Sequence, residues 1–237
     1  MKKLEDKVAV VTGGTGGLGK AVMALFLAEG AYVLSTYIND DELEGCLGLR
    51  DEYTSRVAFG KADVTKASNV SNVALKAIEK FSRIDILVNI VGGFAQSPVT
   101  ETDEEAWDRM MNMNLKSVFL CSKSIVPHMI KQGRGSIVNI ASRPALRGSP
   151  GLSAYGASKA GVLNLTQSMA EELKDFDINV NAVIPGTIDT PANRMVMPDA
   201  DFSKWVAPED IAKAIAFLCS DDARAVSGAA IPVYGKS

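Results

Sequence analysis

Seven short apolar runs rich in β-branched residues follow one another along this chain, and segments of helix length separate them. The runs cover residues 8–11, 32–36, 57–60, 84–89, 136–140, 178–184 and 229–233. Helical patterns occupy residues 18–28, 67–81, 104–131, 157–176 and 208–219. Unbroken apolar strands must be covered on both faces, and strands that alternate with helices build parallel sheets. The chain is therefore predicted to form an α/β fold, a single-domain, Rossmann-type, doubly wound parallel sheet with helices on both faces.

The composition fits one domain over residues 1–237. With 237 residues, 47% of them hydrophobic, the chain can bury one continuous core, and no repeat or low-complexity linker divides it. The formal net charge of −3 is scattered along the chain, which argues against nucleic acid or anionic lipid as a partner. The charged N-terminus and the absence of a membrane-length apolar stretch favour a soluble protein.

The cysteines point to a reducing compartment. Cys46, Cys121 and Cys219 are far apart, odd in number and form no Cys-x-x-Cys pair. Buried reduced thiols fit this pattern better than disulfides or a zinc site. We therefore expect a cytoplasmic protein that holds no metal.

A glycine-rich segment at residues 12–19, TGGTGGLG, lies between the first predicted strand and the first predicted helix. Gly13, Gly17 and Gly19 allow a tight turn, close approach of the backbone to a pyrophosphate, and close packing of helix on strand. The helix N-terminus adds amide donors and a positive dipole. In this context the segment predicts a dinucleotide-binding site, and a glycine turn without a ligand is the plainer alternative.

Tyr155 and Lys159 are four residues apart, so helical spacing places the phenol and the ammonium on one face. A neighbouring cation favours the phenolate, and we expect the pKa of Tyr155 to fall from its reference of about 10 toward neutrality. Such a phenol can exchange a proton during catalysis. The same spacing also occurs on solvated helix faces, where it has no chemical role.

The glycine segment and the Tyr-x-x-x-Lys pair together resemble the short-chain dehydrogenase/reductase family, and the resemblance covers essentially the whole chain. Asp63 and Val64 stand where the family contacts the adenine ring, and Asn89 where it has an asparagine that stabilises the sheet. Pro185 and Gly186 stand at its turn beside the nicotinamide. The cofactor-binding residues that the resemblance implies are Thr12, Gly13, Thr15, Gly17, Leu18, Gly19, Tyr37, Asp63, Val64, Asn89, Gly92, Tyr155, Lys159, Pro185, Gly186, Ile188 and Thr190.

The resemblance also implies four catalytic residues, Asn114, Ser142, Tyr155 and Lys159. Tyr155 would exchange the proton and Ser142 would orient the substrate oxygen. Lys159 would lower the pKa of Tyr155 and bond the nicotinamide ribose, and Asn114 would fix a water that links the lysine to solvent. Taken singly, Ser142 could instead be a strand-end cap, Asn114 a helix-kinking polar group and Lys159 part of a solvated face. The family's hydride transfer acts between NAD(P)(H) and a carbonyl or alcohol, and its members are commonly tetramers, so we expect a homo-oligomer, either a tetramer or a dimer.

The choice between NAD(H) and NADP(H) depends on residues after the second predicted strand. Tyr37 stands where an aspartate would mark NAD, and Gly16 and Ile38 stand where NADP-dependent members often carry Arg or Lys. Acidic residues occupy positions 40, 41, 42 and 44, without a Lys or Arg between residues 32 and 49. Because these acids would repel a 2′-phosphate, we favour NAD(H). The alternative is that the acids begin a solvated helix pointing away and that the hydroxyls of residues 35–37 hold a phosphate.

Residues 185–207 lack clear periodicity and leave the carboxyl end of the sixth predicted strand. Ligands of open α/β sheets bind beyond that edge, so we expect this segment to be a substrate lid. The residues expected to shape its substrate side are Asn193, Arg194, Phe202 and Trp205. Alternatively, the two aromatic residues simply pin the loop to the core.

The lid sequence, together with residues 92–95, is similar to the corresponding parts of dihydropteridine reductases. That group usually lacks the serine equivalent to Ser142, which this chain keeps, and the remainder resembles carbonyl and 3-oxoacyl reductases. The sequence thus favours a small-molecule carbonyl substrate such as a 3-oxoacyl or small ketone compound. A quinonoid dihydropteridine is an alternative substrate, and a non-catalytic dinucleotide sensor is the alternative of another class.

Overall fold

A seven-stranded parallel sheet forms the centre of the protein in a computed structural model that describes residues 2–236. The strands are β1 (Val8–Thr12), β2 (Tyr32–Tyr37), β3 (Val57–Lys61), β4 (Ile86–Asn89), β5 (Gly135–Ile140), β6 (Ile178–Pro185) and β7 (Ala230–Val233). Their order across the sheet is β3-β2-β1-β4-β5-β6-β7. Because the strand order reverses between β1 and β4, the sheet is doubly wound, and the predicted fold class is confirmed.

Helices cover both faces of this sheet. They are α1 (Gly17–Ala28), α2 (Asp40–Glu44), α3 (Leu47–Glu52), α4 (Ala67–Phe81), α5 (Glu104–Met110), α6 (Ser117–Gln132), α7 (Ser153–Leu173), α8 (Pro191–Val196) and α9 (Pro208–Cys219). Ala9 and Val11 of β1 join the apolar cluster under α1 and α9, while Val10 joins the cluster under α4, α6 and α7. Alternate residues of a strand point to opposite faces, so residues 8–11 of this central strand are all apolar.

The predicted helix over residues 104–131 is present from Glu104 to Gln132, and it contains a π-helical segment that the sequence pattern does not predict. Between α5 and α6 the chain forms a π-helical segment, Met111–Lys116, that contains Asn114. The side chain of Asn114 is fully buried and bonds to residues outside its own helix, and the Ser117 hydroxyl donates to the Met113 carbonyl. An inserted residue of this kind is common at functional sites and turns a side chain inward.

The carboxyl ends of the central strands lie level with one another. Thr12 at the end of β1 pairs in register with Asn89 at the end of β4, and Asn89 pairs with Asn139 of β5. This edge is the point where the strand order reverses, and ligands of such sheets bind there. None of the helices within residues 2–236 combines the length and the apolar character needed to cross a bilayer.

Candidate active site

The glycine-rich loop packs tightly between β1, β2 and the N-terminus of α1. Gly13 has φ +67°, a conformation that favours glycine, and its N–H donates to the Thr36 hydroxyl at 3.0 Å. A Cβ on Gly14 would lie 2.1 Å from the Ser35 Oγ, and one on Gly19 would lie 2.2 Å from the Gly13 carbonyl oxygen. The loop is packed tightly, and Gly16 and Gly17 at the start of α1 remain exposed, where a pyrophosphate could approach the helix N-terminus.

The loop after β4 is tied to β1 by the buried Thr12 hydroxyl. Its Oγ1 accepts from the Ile90 N–H at 3.0 Å and from the Val91 N–H at 3.3 Å. Next to it, the Asn89 amide donates to Asn139 Oδ1 at 2.8 Å, between neighbouring strands. Asn89 is buried within the sheet, where it supports the ends of β4 and β5.

Ser142 and Tyr155 meet at the bottom of a cleft above these strand ends. Tyr155 lies in the first turn of α7, and its phenol forms a side-chain hydrogen bond with Ser142, which follows β5. The ring of Phe94 meets the Tyr155 ring edge-on, with centroids 5.0 Å apart. Burial raises the pKa of Tyr155 above its ordinary value, and the hydrogen bond with Ser142 opposes the rise. The phenol is therefore protonated at neutral pH.

Lys159 lies beneath this pair and points to the strand end. Its Nζ donates to the Ile140 carbonyl at 2.8 Å, and burial lowers the pKa of Lys159 to about 8. The expectation that Lys159 depresses the pKa of Tyr155 is wrong in this structure. The reason is that burial is the largest influence on the phenol, while the ammonium bonds the end of β5.

Asn114 clamps the loop after β4 onto α7. Its Oδ1 accepts from the Gly93 N–H at 2.8 Å, and its Nδ2 donates to the Gly93 carbonyl at 3.1 Å and to Ser158 Oγ at 3.0 Å. The Ser158 hydroxyl in turn donates to the Tyr155 carbonyl at 2.7 Å. Sequence reasoning missed Ser158, although its place directly before Lys159 was a signal. The predicted role of Asn114 in holding a water stays a prediction.

The cleft over Ser142 and Tyr155 has a volume of about 580 Å³. Its apolar lining includes Phe94, Pro144, Leu152 and Met197, and its polar lining includes Gln96, Arg143, Asn193 and Lys159. Among the described residues, no Asp or Glu lines it. Negative charge that develops on a bound oxygen would therefore meet hydroxyl, amide and cationic groups rather than carboxylates.

The predicted lid is anchored at its base and rests on the glycine-rich loop. Ile188 and Val206 form an isolated parallel bridge, so residues between them form a closed loop. Thr190 caps α8 by accepting from the Asn193 N–H, and its Cγ2 would lie 2.7 Å from a Cβ on Gly17. The lid therefore lies directly over the N-terminus of α1.

Of the four lid residues expected on the substrate side, Asn193 lines the cleft and the other three do not. Arg194 donates to both carboxylate oxygens of Asp189, at 2.6 and 2.7 Å, and its guanidinium lies over the Phe202 ring. The rings of Phe202 and Trp205 pack on each other with centroids 4.8 Å apart. Within residues 2–236 the expectation is thus corrected for Arg194, Phe202 and Trp205, because partners within the lid hold these side chains.

The structure brings the residues predicted to bind cofactor to one edge of the sheet. Tyr37 ends β2, Asp63 and Val64 follow β3, and Pro185 and Gly186 lie at the end of β6. The Asp63 carboxylate accepts from the Thr65 hydroxyl at 2.6 Å, and this bond lowers the pKa of Asp63. Strand ends that meet beside a glycine-rich loop form the usual dinucleotide site of such a sheet. Among residues 2–236, no cluster of side chains suited to hold a metal ion occurs.

Comparison with known proteins gives one consistent result. The family model described as short chain dehydrogenase matches residues 7–201. The 3-oxoacyl-(acyl-carrier-protein) reductase of Thermotoga maritima is 37% identical over 98% of this chain and 98% of its own. Cyclopentanol dehydrogenase of Comamonas testosteroni is 33% identical over 99% and 98%. A solved structure of ElxO with NADP bound superposes with a TM-score of 0.91 at 32% identity, covering 97% of each chain.

Proposed function

Since this chain belongs to the short-chain dehydrogenase/reductase family and is an NAD(P)-dependent enzyme acting on CH–OH or C=O groups, we propose that it reduces the carbonyl of a compact ketone. Tyr155 is the proton donor in this proposal, and Ser142, Lys159 and Asn114 assist it. Residues 1–237 act as one dinucleotide-binding and catalytic domain, with residues 185–207 as its lid.

The observation that carries the proposal is the hydrogen bond between Ser142 and a buried, protonated Tyr155 at the bottom of the cleft. A substrate carbonyl oxygen that accepts from both hydroxyls is held in place and polarised. When bound, reduced nicotinamide supplies the hydride that attacks the carbonyl carbon. Tyr155 then donates its proton to the oxygen, so that the C=O bond becomes a CH–OH group.

Lys159 and Asn114 act around this proton donor. The Lys159 ammonium, below the phenol, is the group that would bond the nicotinamide ribose and replace the tyrosine's proton. Asn114 holds the loop of Gly92 and Gly93 against α7 through its hydrogen bonds to Gly93. Gly92 packs closely between Asn114 and Lys159, since a Cβ on it would lie 2.7 Å from Asn114 Oδ1 and 3.1 Å from Lys159 Nζ. In this proposal the loop therefore keeps the lysine in place. Phosphates would be held at the glycine-rich loop.

The cleft favours a small substrate. Apolar side chains such as Phe94 and Leu152 suit a ring or a short alkyl chain, and Gln96 and Asn193 can bond its polar substituents. A cyclopentanol dehydrogenase and a 3-oxoacyl reductase among the relatives support small ketone and 3-oxoacyl substrates. The hydrogen bond of Ser142 to Tyr155 favours a carbonyl over a quinonoid dihydropteridine, whose reductases usually lack this serine.

A substrate panel tests the proposal. Cyclic ketones, 3-oxoacyl thioesters, diketones, quinones and a quinonoid dihydropteridine are each mixed with enzyme and NADH or NADPH, and the loss of reduced nicotinamide absorbance is followed. We expect turnover of at least one ketone or 3-oxoacyl compound. Turnover of the pteridine alone would favour the alternative reductase, and binding of nucleotide without any turnover would favour a sensor.

We also propose that the protein forms a homo-oligomer and lies in the cytoplasm. Trp107 on α5 and Phe119 and Ile130 on α6 are large apolar side chains that remain exposed, and burial of such surfaces supports a homodimer or homotetramer. The three cysteines are free and buried, as in proteins of a reducing cytoplasm.

Nucleotide binding should weaken as the pH rises through about 8. Lys159 has a pKa of about 8, so its ammonium predominates below this pH and is lost above it, while Tyr155, with a raised pKa, keeps its proton. A ribose hydroxyl bonds better to the ammonium than to the neutral amine, so the dissociation constant should increase with pH. Fluorescence titration of reduced nucleotide from pH 6.5 to 9.5 measures this change, and Lys159→Met should show a flat profile. Equal pH dependence in both proteins would contradict the assignment to Lys159.

A further inference from the structure

Glu42 on α2 reaches across to the glycine-rich loop. The Thr15 hydroxyl donates to Glu42 Oε2 at 2.7 Å, and the Asn39 amide donates to Glu42 Oε1 at 3.1 Å. Thr15 is buried and lies two residues before the start of α1. The two hydrogen bonds hold the carboxylate against Thr15 of the proposed nucleotide-binding loop.

Asp40 and Lys20, the charged side chains near Glu42, point to other partners and not to Thr15. Asp40 is turned to Lys61, with which it forms an ion pair at 2.5 Å. Lys20 of α1 extends toward Gly45, where a Cβ would lie 2.3 Å from its Nζ. Of the acids after β2, Glu42 is therefore the one whose bond to the loop is observed.

The hydroxyls of Ser35 and Thr36, which could have held a phosphate, are buried. Ser35 is fully buried and donates to the Thr36 carbonyl at 3.3 Å. Thr36 is also buried, and its Oγ1 accepts from the Gly13 N–H. The sequence-based alternative, in which hydroxyls of residues 35–37 bind a 2′-phosphate, therefore retains only the half-buried Tyr37.

We propose that Glu42 selects NADH over NADPH, taking from α2 the role that an aspartate at the end of β2 usually has. Tyr37 stands at the position where that aspartate usually lies. The carboxylate of Glu42, five residues further along the chain, is held in place by its hydrogen bond from Thr15. A ribose 2′-hydroxyl can donate to this carboxylate, whereas a 2′-phosphate would place a dianion beside it. The inference rests on the proposed nucleotide site at the glycine-rich loop.

Binding constants test the inference without using turnover. NADH and NADPH are titrated by fluorescence into the wild type, Glu42→Gln and Glu44→Gln. Glutamine keeps the size of Glu42 and can still accept from Thr15, so Glu42→Gln removes the charge alone. Glu44 is an exposed acid on the same helix and serves as the matched control.

The wild type should bind NADH at least about tenfold more tightly than NADPH. Glu42→Gln should tighten NADPH binding by about tenfold, because it removes one close like-charge contact in partly screened surroundings. NADH binding should change only a few-fold, and Glu44→Gln should behave as the wild type. Tighter binding of NADPH by the wild type, or an unchanged ratio in Glu42→Gln, would overturn the role of Glu42. Failure to bind either nucleotide would instead overturn the proposed function itself, so the two failures are distinguishable.

Discussion

Tyr155→Phe should lower turnover by roughly a thousandfold or more while nucleotide binding is retained. The substitution removes only the phenolic oxygen, so the carbonyl loses both its proton donor and one of its two hydrogen-bond donors. The ring remains to pack against Phe94, whose centroid is 5.0 Å away. The measurements are kcat on the ketone found in the substrate panel and the dissociation constant of the reduced nucleotide.

Tyr53→Phe is the matched control for this variant. Tyr53 lies at the end of α3 and packs against the core on the face covered by α1 and α9. It should retain full turnover. If Tyr155→Phe retained full turnover as well, the tyrosine would have no part in proton transfer and the proposed chemistry would be wrong.

Gly19→Ala should abolish nucleotide binding in the accessible range, with a loss of affinity of a hundredfold or more. Its Cβ would lie 2.2 Å from the Gly13 carbonyl oxygen and 2.5 Å from the Gly14 Cα, and both are backbone atoms that cannot rotate away. The loop must shift, and backbone amides that are displaced by even about 1 Å lose their alignment with the nucleotide phosphates. Overpacking of this kind also costs about 1–3 kcal/mol of stability, so the melting temperature should fall.

Gly16→Ala is the control within the same loop. The nearest atom to its Cβ is the Gly13 carbonyl oxygen at 3.5 Å, an ordinary contact, and Gly16 has φ −76°. It should keep both the melting temperature and the nucleotide affinity. Equal affinities for Gly16→Ala and Gly19→Ala would show that the close packing of the loop has no part in binding.

The pKa of Tyr155 is raised by burial, whereas the sequence predicts that it is lowered, and this difference bears on the proposed proton transfer. A phenol with a depressed pKa would be ionised for part of the time at neutral pH, and the ionised fraction could not protonate a carbonyl. In the structure, burial keeps the phenol neutral and Lys159 lies under the end of β5. Burial lowers the pKa of Lys159 to about 8, so the lysine, rather than the tyrosine, is expected to change its charge near that pH.

The sequence by itself determined the seven strands, the long helices and their arrangement in layers, but the short helices α3 and α8 were not predicted. Strand periodicity and helical periodicity are local properties of the chain, and the predicted strands agree with β1 to β7 to within one or two residues at each end. The glycine-rich loop was equally readable, because Gly13 has a positive φ and a Cβ on Gly19 would meet the backbone of Gly13 and Gly14. The grouping of Ser142 with Tyr155 came from the family resemblance, and the structure brings the two side chains into contact.

Only the tertiary structure decided which way the remaining polar side chains point. Helical spacing placed Lys159 on the same face as Tyr155, but the carbonyl of Ile140, nineteen residues earlier in the chain, is the acceptor of its ammonium. Glu42 likewise bonds Thr15, twenty-seven residues away, and Arg194 turns to Asp189 within the lid. Such contacts depend on the distance in space between segments that are separated in the chain. A pKa depends in addition on burial, which no local pattern specifies.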